Sequence, residues 1–383
     1  MVNVATDLTK MLKINIKSRF DSHTDQYNRI FMVKLLLVCS IIMGISWYSD
    51  SINCIVPDSH KIDEKFVSSA CWIQGVYVFK ELQDKQEMVA YYGLPKRMSD
   101  DGLYGNRYFC SIEEEDKYKM LSNRKCVAMK KTFYLQYQWM PFLTAALAIL
   151  YYLPYVFQRT VNSEFLTLTK SIKEESPDAT KIAQYYFDRT SRTVGCCGTF
   201  LKVLLNLLIK MMYIVVNAFI FYALNYLFNG DFYYYGTQWL KWMRHNNTIA
   251  YDYMGLRDFP KPGNELLPPF GYCELYEVAK EKVERRANQH KFICEMSQNV
   301  LYQYCLIVLW FAILLGIVLS VIGFLFLLMH YLFGICIRQK YQFKKKLYGI
   351  ALTFRELEYL DFIRKKNVVL YGEVLIKLRE LGK

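Results

Sequence analysis

Four long apolar runs, at residues 30–47, 139–157, 203–228 and 301–333, divide the chain into alternating greasy and polar stretches. A helix needs roughly 17–25 residues to cross a ~30 Å hydrocarbon core, so each run predicts a transmembrane helix. Four crossings put both termini on one side. The first run has the apolar core of a secretory signal, but about thirty residues precede it and no small-residue cleavage site follows, so it reads as a retained span. The third run is the least hydrophobic, because Asn206, Lys210, Asn217 and Asn225 interrupt it. It admits two readings: contact with other protein or with water, or a lysine reaching for the membrane edge with asparagines bonded between neighbouring helices.

Between the second and third runs, Phe165, Leu166, Leu168, Ile172, Ile182, Ala183, Tyr186 and Phe187 recur at loosely helical spacing, and Pro177 splits the segment into two helices. Beyond the fourth run, Leu347, Ile350, Ala351, Phe354, Leu357, Leu360 and Ile363 form a stripe at three- and four-residue intervals. Together these predict a helical cytoplasmic dome. The other two connections are less regular. Residues 71–79 have the aromatic and β-branched content of a strand, residues 279–289 read as a charged helix, and residues 92–110, with Gly93, Pro95, Gly102 and Gly105, read as an excursion. The expected fold is an all-α polytopic membrane protein with four transmembrane helices, disulfide-linked extracellular loops containing some β structure, and the helical dome. Its expected parts are an amino-terminal segment at 1–29, spans at 30–48, 132–157, 203–228 and 298–333, extracellular loops at 49–131 and 229–297, a cytoplasmic helical loop at 158–202 and a cytoplasmic tail at 334–383.

Charge orients this plan. The chain has a formal net charge of +13. Basic residues outnumber acidic ones by five to three in 1–29, seven to five in 158–202 and twelve to five in 334–383, while both other loops are balanced. Positive charge collects on the cytoplasmic side of short loops, so both termini are expected inside a plasma membrane. The clusters at 344–346 and 364–366 follow a span, where anionic lipid, or water on a solvated helix face, is the partner. No aromatic residues interleave them as a nucleic-acid platform requires, so nucleic acid is excluded as a partner.

The cysteines give an independent sign. Of eleven, Cys54, Cys71, Cys110 and Cys126 fall in the first extracellular loop and Cys273 and Cys294 in the second, an even set in an oxidising compartment. A local bridge from Cys110 to Cys126 would close the excursion. Cys39, Cys196, Cys197, Cys305 and Cys336 lie in spans or inside, where thiols stay reduced, and the adjacent Cys196 and Cys197 are candidates for palmitoylation. Asn246-Asn247-Thr248 is a glycosylation acceptor in the second loop. Five scattered histidines without ligand spacing argue against a metal site. The acidic run 113–116 reads as a solvated loop rather than a calcium site. No hydrolase elbow, zinc-protease helix or phosphate-binding loop is present, so neither an enzyme nor a cofactor is expected.

Tyr137-Gln138-Trp139-Met140-Pro141, at the start of the second span, resembles the YYQW signature of the innexins, invertebrate gap-junction proteins related to pannexins. Cys71-Trp72-Ile73-Gln74, Tyr152-Leu153-Pro154, Pro269-Phe270-Gly271-Tyr272-Cys273-Glu274, and Cys294 followed by Leu309-Trp310-Phe311 are similar to further blocks of that family, in matching order over about residues 20–335. The chain departs from the pattern at Gln136, Met140 and Ile55, and in the extra Cys110 and Cys126, as a divergent branch would.

The resemblance implies a homo- or hetero-oligomeric pore of eight subunits, with a helix over residues 2–16 folded into its mouth. There Val2, Val4, Leu8, Met11, Leu12 and Ile14 would pack on the first span, and Val2, Asn3, Thr6, Asp7 and Lys10 become candidates to line the pore. It further implies that Cys54 and Cys71 bridge to Cys294 and Cys273, which residue joins which being left open, so that the clamped loops serve as a docking platform. The expected function is a wide channel for ions and small metabolites, whose hemichannels dock between adjacent cells at a gap junction. Two alternatives stand beside it: a pannexin-like unpaired hemichannel whose docking is blocked by a glycan at Asn246, and a four-span adhesion or scaffold protein that passes no current.

Overall fold

The computed structural model describes residues 22–49, 52–57, 62–82, 89–95, 103–105, 108–110, 127–174, 177–187, 196–244, 261–277, 288–341 and 354–380. Four helices among them are long and apolar enough to cross a membrane. The first, α1, joins an α-helical turn His23–Gln26, a π-helical stretch Tyr27–Met32 and the α-helix Val33–Ser49. The remaining elements, in order, are β1 (Asn53–Ile55), α2 (Glu64–Gln74), β2 (Val76–Phe79), β3 (Val89–Tyr91), β4 (Leu94–Pro95), β5 (Leu103–Gly105), β6 (Tyr108–Cys110), β7 (Val127–Ala128), β8 (Lys131–Tyr134), α3 (Gln136–Val161), α4 (Ser163–Ile172), α5 (Ala179–Tyr186), α6 (Cys196–Leu227), α7 (Tyr235–Arg244), α8 (Pro262–Leu266), β9 (Phe270–Glu277), β10 (Asn288–Glu295), α9 (Ser297–Tyr341), α10 (Phe354–Lys366) and α11 (Val368–Glu380).

The helices outrun the apolar stretches that announce them. α9 has 45 residues, about 68 Å at 1.5 Å per residue, more than twice the hydrocarbon thickness. α6 begins at Cys196, ahead of its apolar run, and α1 begins at His23, where Ser22 and Asp25 form a reciprocal cap that satisfies the first free amides. In place of a second span starting at residue 132, β8 occupies Lys131–Tyr134 and the helix takes over at Gln136. Residues 71–79 are not one strand. Residues up to Gln74 complete α2, capped by Asp63, whose side chain accepts from the Lys65 amide. Gly75, at φ 88°, ends the helix, and only then does β2 run. Val67 and Cys71, four residues apart on one face, are the buried positions of α2, and this helical spacing outweighs the strand-like composition.

Two compact units result, and the four long helices contribute residues to both. One contains residues 36–146 and 221–312. Its centre is a five-stranded antiparallel sheet in the order β1-β10-β9-β2-β8, drawn from both long connections. The hairpin β9–β10 is in register from Glu277 opposite Asn288 to Phe270 opposite Glu295. β2 is buried at all four positions, and Tyr77 sits opposite Tyr272 of β9. Two small sheets, β3–β4 and β6-β5-β7, complete the strands. Asn288 and Gln289, the end of the expected charged helix, are paired in β10, and residues 279–287 lie outside the described residues.

The other unit contains residues 22–35, 147–220 and 313–380 among those described. α4 and α5 flank Pro177, and Asp178 caps α5 by accepting from the Thr180 and Lys181 amides. Their apolar faces, Phe165, Leu168, Ile182, Ala183, Tyr186 and Phe187, pack on Tyr359, Leu360 and Ile363 of α10 and Leu370, Val374 and Leu378 of α11, forming the helical dome.

Candidate channel-forming elements

Two bridges clamp the sheet. Cys54 and Cys294 are paired directly across β1 and β10, and their sulfurs are bonded at 2.04 Å. Cys71, on the inner face of α2, is bonded to Cys273 of β9, also at 2.04 Å. All four residues are buried. The sulfurs of Cys54, Cys71 and Cys294 lie within 4.8 Å of one another, but all three are spent in disulfides and so offer no thiolate to a metal. Cys110 ends β6 and Cys126 lies outside the described residues, as do Asn246 and the pore candidates Val2, Asn3, Thr6, Asp7 and Lys10.

The signature residues serve this clamp. The Tyr137 hydroxyl donates to the Trp72 carbonyl at 2.6 Å, and the Gln138 side-chain amide donates to the same oxygen at 2.8 Å and to the Ile73 carbonyl at 3.3 Å. These carbonyls belong to the last turn of α2, where no intrahelical partner exists. Tyr137 and Gln138 thereby tie the start of α3 to the helix that carries Cys71. Trp139 is half-buried beside them, and Pro154 is buried further along α3.

Beside the second bridge stands an aromatic and ionic cluster. Tyr77 packs against Phe79, Phe133 and Tyr272, and its hydroxyl donates to Glu274. Lys131 lies over the Tyr77 ring and meets the other Glu274 oxygen at 2.7 Å. Burial pushes the Glu274 carboxyl up, but hydrogen bonds from Lys131 and Tyr77 outweigh it and hold the group below its ordinary value.

In the other unit, polar residues of all four spans close upon one another. Lys210 of α6 meets Asp25 of α1 at 2.6 Å, with side chains 10 % and 3 % exposed, and also donates to the Ser22 hydroxyl. Asn217 donates to Asn28 at 2.8 Å and accepts from Tyr151 of α3 at 2.9 Å, while Asn28 donates to Ser320 of α9 at 2.9 Å. Gly316 makes room for this: a Cβ there would lie 2.5 Å from the Asn217 oxygen. Asn206 accepts from Asn162 and donates to Tyr331. Lys210 and Asn217 of the third span are thus bonded to neighbouring helices of the same chain, and Lys210 does not reach for the membrane edge but pairs in the interior.

The dome is latched to the spans by a second network. Arg355, 1 % exposed, reaches Asn162, Glu164 and Glu358, while Glu164 also accepts from Tyr359 and meets Lys202 at 3.4 Å. Burial raises Glu164, and the Tyr359 hydroxyl with the charges of Lys202 and Arg355 more than offsets it, holding the carboxyl below the usual range. Sequence reading missed Asp25, Asn28, Glu164 and Arg355. The signal for the first pair was available, since Ser22-x-x-Asp25 ahead of an apolar run is a helix-start pattern.

Four spans, a sheet drawn from both long connections, two bridges between them and the YYQW-like tie to α2 narrow the field to one architecture. The innexin family model matches residues 21–375, nearly the whole chain. The chain belongs to the innexin family. Among curated proteins, none matches it. As an innexin, it is a multi-pass membrane protein of a gap-junction and hemichannel family whose members form oligomeric channels, a family of channels rather than enzymes.

Proposed function

We propose that this innexin assembles with like subunits, eight to a ring, into a wide pore with both termini in the cytoplasm, and that two such hemichannels dock through their extracellular loops to join adjacent cells. The observation that carries docking is the double clamp: bonds Cys54–Cys294 and Cys71–Cys273 hold the two loops in one sheet, as a platform for a second protein requires. The amino-terminal helix, with Asn3, Thr6, Asp7 and Lys10 facing water, lines the mouth. Such a pore discriminates by size and weak ring charge, so ions and small metabolites pass. The Lys210–Asp25 pair and the Asn217 network engage the cation and the central amide of the third span within the chain. The pore is therefore assigned to the amino-terminal helix rather than to α6.

The second reading, an unpaired hemichannel, is favoured by the acceptor Asn246 in the second loop, where a hydrated glycan opposes close approach. Paired-cell recording with Asn246 intact and with Asn246→Gln tests both. Junctional current from the intact chain is the expected result. Coupling that appears only with Asn246→Gln overturns docking by the glycosylated protein, and surface protein without current of either kind overturns the channel reading in favour of adhesion or scaffolding.

A further inference from the structure

We propose that α7 is an interfacial helix whose partner is phospholipid: one flank enters the upper acyl region and the other meets phosphate. α7 follows the third span after a turn built by Asn229 and Gly230, both at positive φ, with the Gly230 amide donating to Asn225 and the Asn225 side chain accepting from the Tyr233 amide. The turn lays α7 against α9. Tyr235 donates to the Gln303 carbonyl at 2.9 Å, Trp239 meets Tyr304 with the rings tilted at 47°, and Gly236 sits on the Trp310 indole, where a Cβ would lie 2.1 Å from a ring carbon.

Gln303, Tyr304 and Trp310 all lie within the fourth membrane span. All three fall in the first fourteen residues of a helix longer than the hydrocarbon core is thick, so α7 lies beside the start of that span, where an interfacial helix belongs. The uncovered face of α7 is apolar on one flank. Leu240 and Met243, three residues apart, are 45 % and 56 % exposed. Thr237, Lys241 and Arg244 share the adjoining flank and are exposed. Tyr222 and Tyr226 of α6 and Tyr304 and Val308 of α9 are also exposed.

Rings with an apolar body and a polar tip collect where headgroup meets acyl chain. Tyr222, Tyr226, Tyr233 and Tyr234, exposed together with the apolar flank of α7, fit a phospholipid boundary, and Lys241 and Arg244 supply donors for its phosphates.

The test uses the full chain reconstituted in phosphatidylcholine vesicles doped with a phosphatidylcholine carrying a diazirine near the acyl carbonyl. After illumination, adducts are mapped by mass spectrometry. Adduct yield on Leu240 and Met243 is expected to exceed that on Thr237 and Lys241 by about tenfold. Labelled spans with no adduct in 233–244 overturn the proposal in favour of water. Labelled spans, no adduct in 233–244, and an amine crosslink from Lys241 to another chain overturn it in favour of a subunit contact. Failure of either kind leaves the channel reading untouched, since α7 carries neither bridge.

Discussion

The Lys210–Asp25 pair is the sharpest place to perturb the spans. Lys210→Met removes a cation 2.6 Å from a carboxylate whose side chain is 3 % exposed. Breaking a buried pair from one side leaves an uncompensated charge and costs about 3–5 kcal/mol. At roughly 2–4 °C per kcal/mol, the expected fall in apparent melting temperature is on the order of 10 °C. Asp25→Asn leaves Lys210 with the Ser22 hydroxyl at 2.7 Å and the more distant Thr24 hydroxyl, so its cost should be smaller. The double variant removes both charges and should regain most of the loss. Thermal unfolding of the purified full chain, followed by intrinsic fluorescence and completed as a double-mutant cycle, gives the coupling. A coupling within about 0.5 kcal/mol of zero, the level at which independent sites add, would refute the claim that this pair holds α1 to α6.

Three further outcomes follow from the same geometry. Peptide mapping without reduction should recover Cys54 joined to Cys294 and Cys71 joined to Cys273, and Cys71→Ser or Cys273→Ser should abolish conductance or surface assembly, because the inner bridge, nested within the outer one, still contributes about 4 kcal/mol in the loop-entropy model. Gly236→Ala should destabilise by about 1–3 kcal/mol, read as a lower melting temperature, because its Cβ would overlap the Trp310 indole unless α7 shifts. Glu164 is held below its ordinary value, so its stabilisation is present above the unfolded carboxylate range near pH 4.3 and is lost as pH falls through the folded value. Glu164→Gln should flatten that acid limb in a melting-temperature profile, and an unchanged limb would count against the latch.

Much of the architecture is legible in the chain because membrane burial writes itself as run length. The runs at 139–157 and 301–333 announce α3 and α9, and Pro177 announces the break between α4 and α5. The stripe Leu360 and Ile363 faces inward in the dome, whereas Leu357 of the same stripe is exposed, since three- and four-residue spacing defines a face wider than the contact it makes. Illegible features depend on distant partners. Nothing local in Cys71-Trp72-Ile73-Gln74 says that its carbonyls will be received by Tyr137 and Gln138, which lie 65 and 66 residues from Trp72. The π-helical stretch Tyr27–Met32 leaves no mark in composition either. The asparagines of the third span were visible, but which of two readings they served depended on Tyr151 and Ser320 on other helices and on Asn162 in the turn between α3 and α4.

The two bridges also set a clock on biosynthesis. Cys54 waits for a partner 240 residues downstream and Cys71 for one 202 residues downstream. At about 5–20 residues per second, a ribosome needs roughly 10–50 s to deliver Cys294 after Cys54. Throughout that interval Cys54 and Cys71 lack their native partners, and of the five-stranded sheet only β2 and β8 are available to pair, while two more helices thread into the bilayer. Neither β1 nor β2 can find its neighbours β10 and β9 until the third crossing is complete. Until Cys273 and Cys294 arrive, Cys54 and Cys71 have only each other, Cys110 and Cys126 in the first connection as partners, so mispairing within that connection is the expected error of assembly.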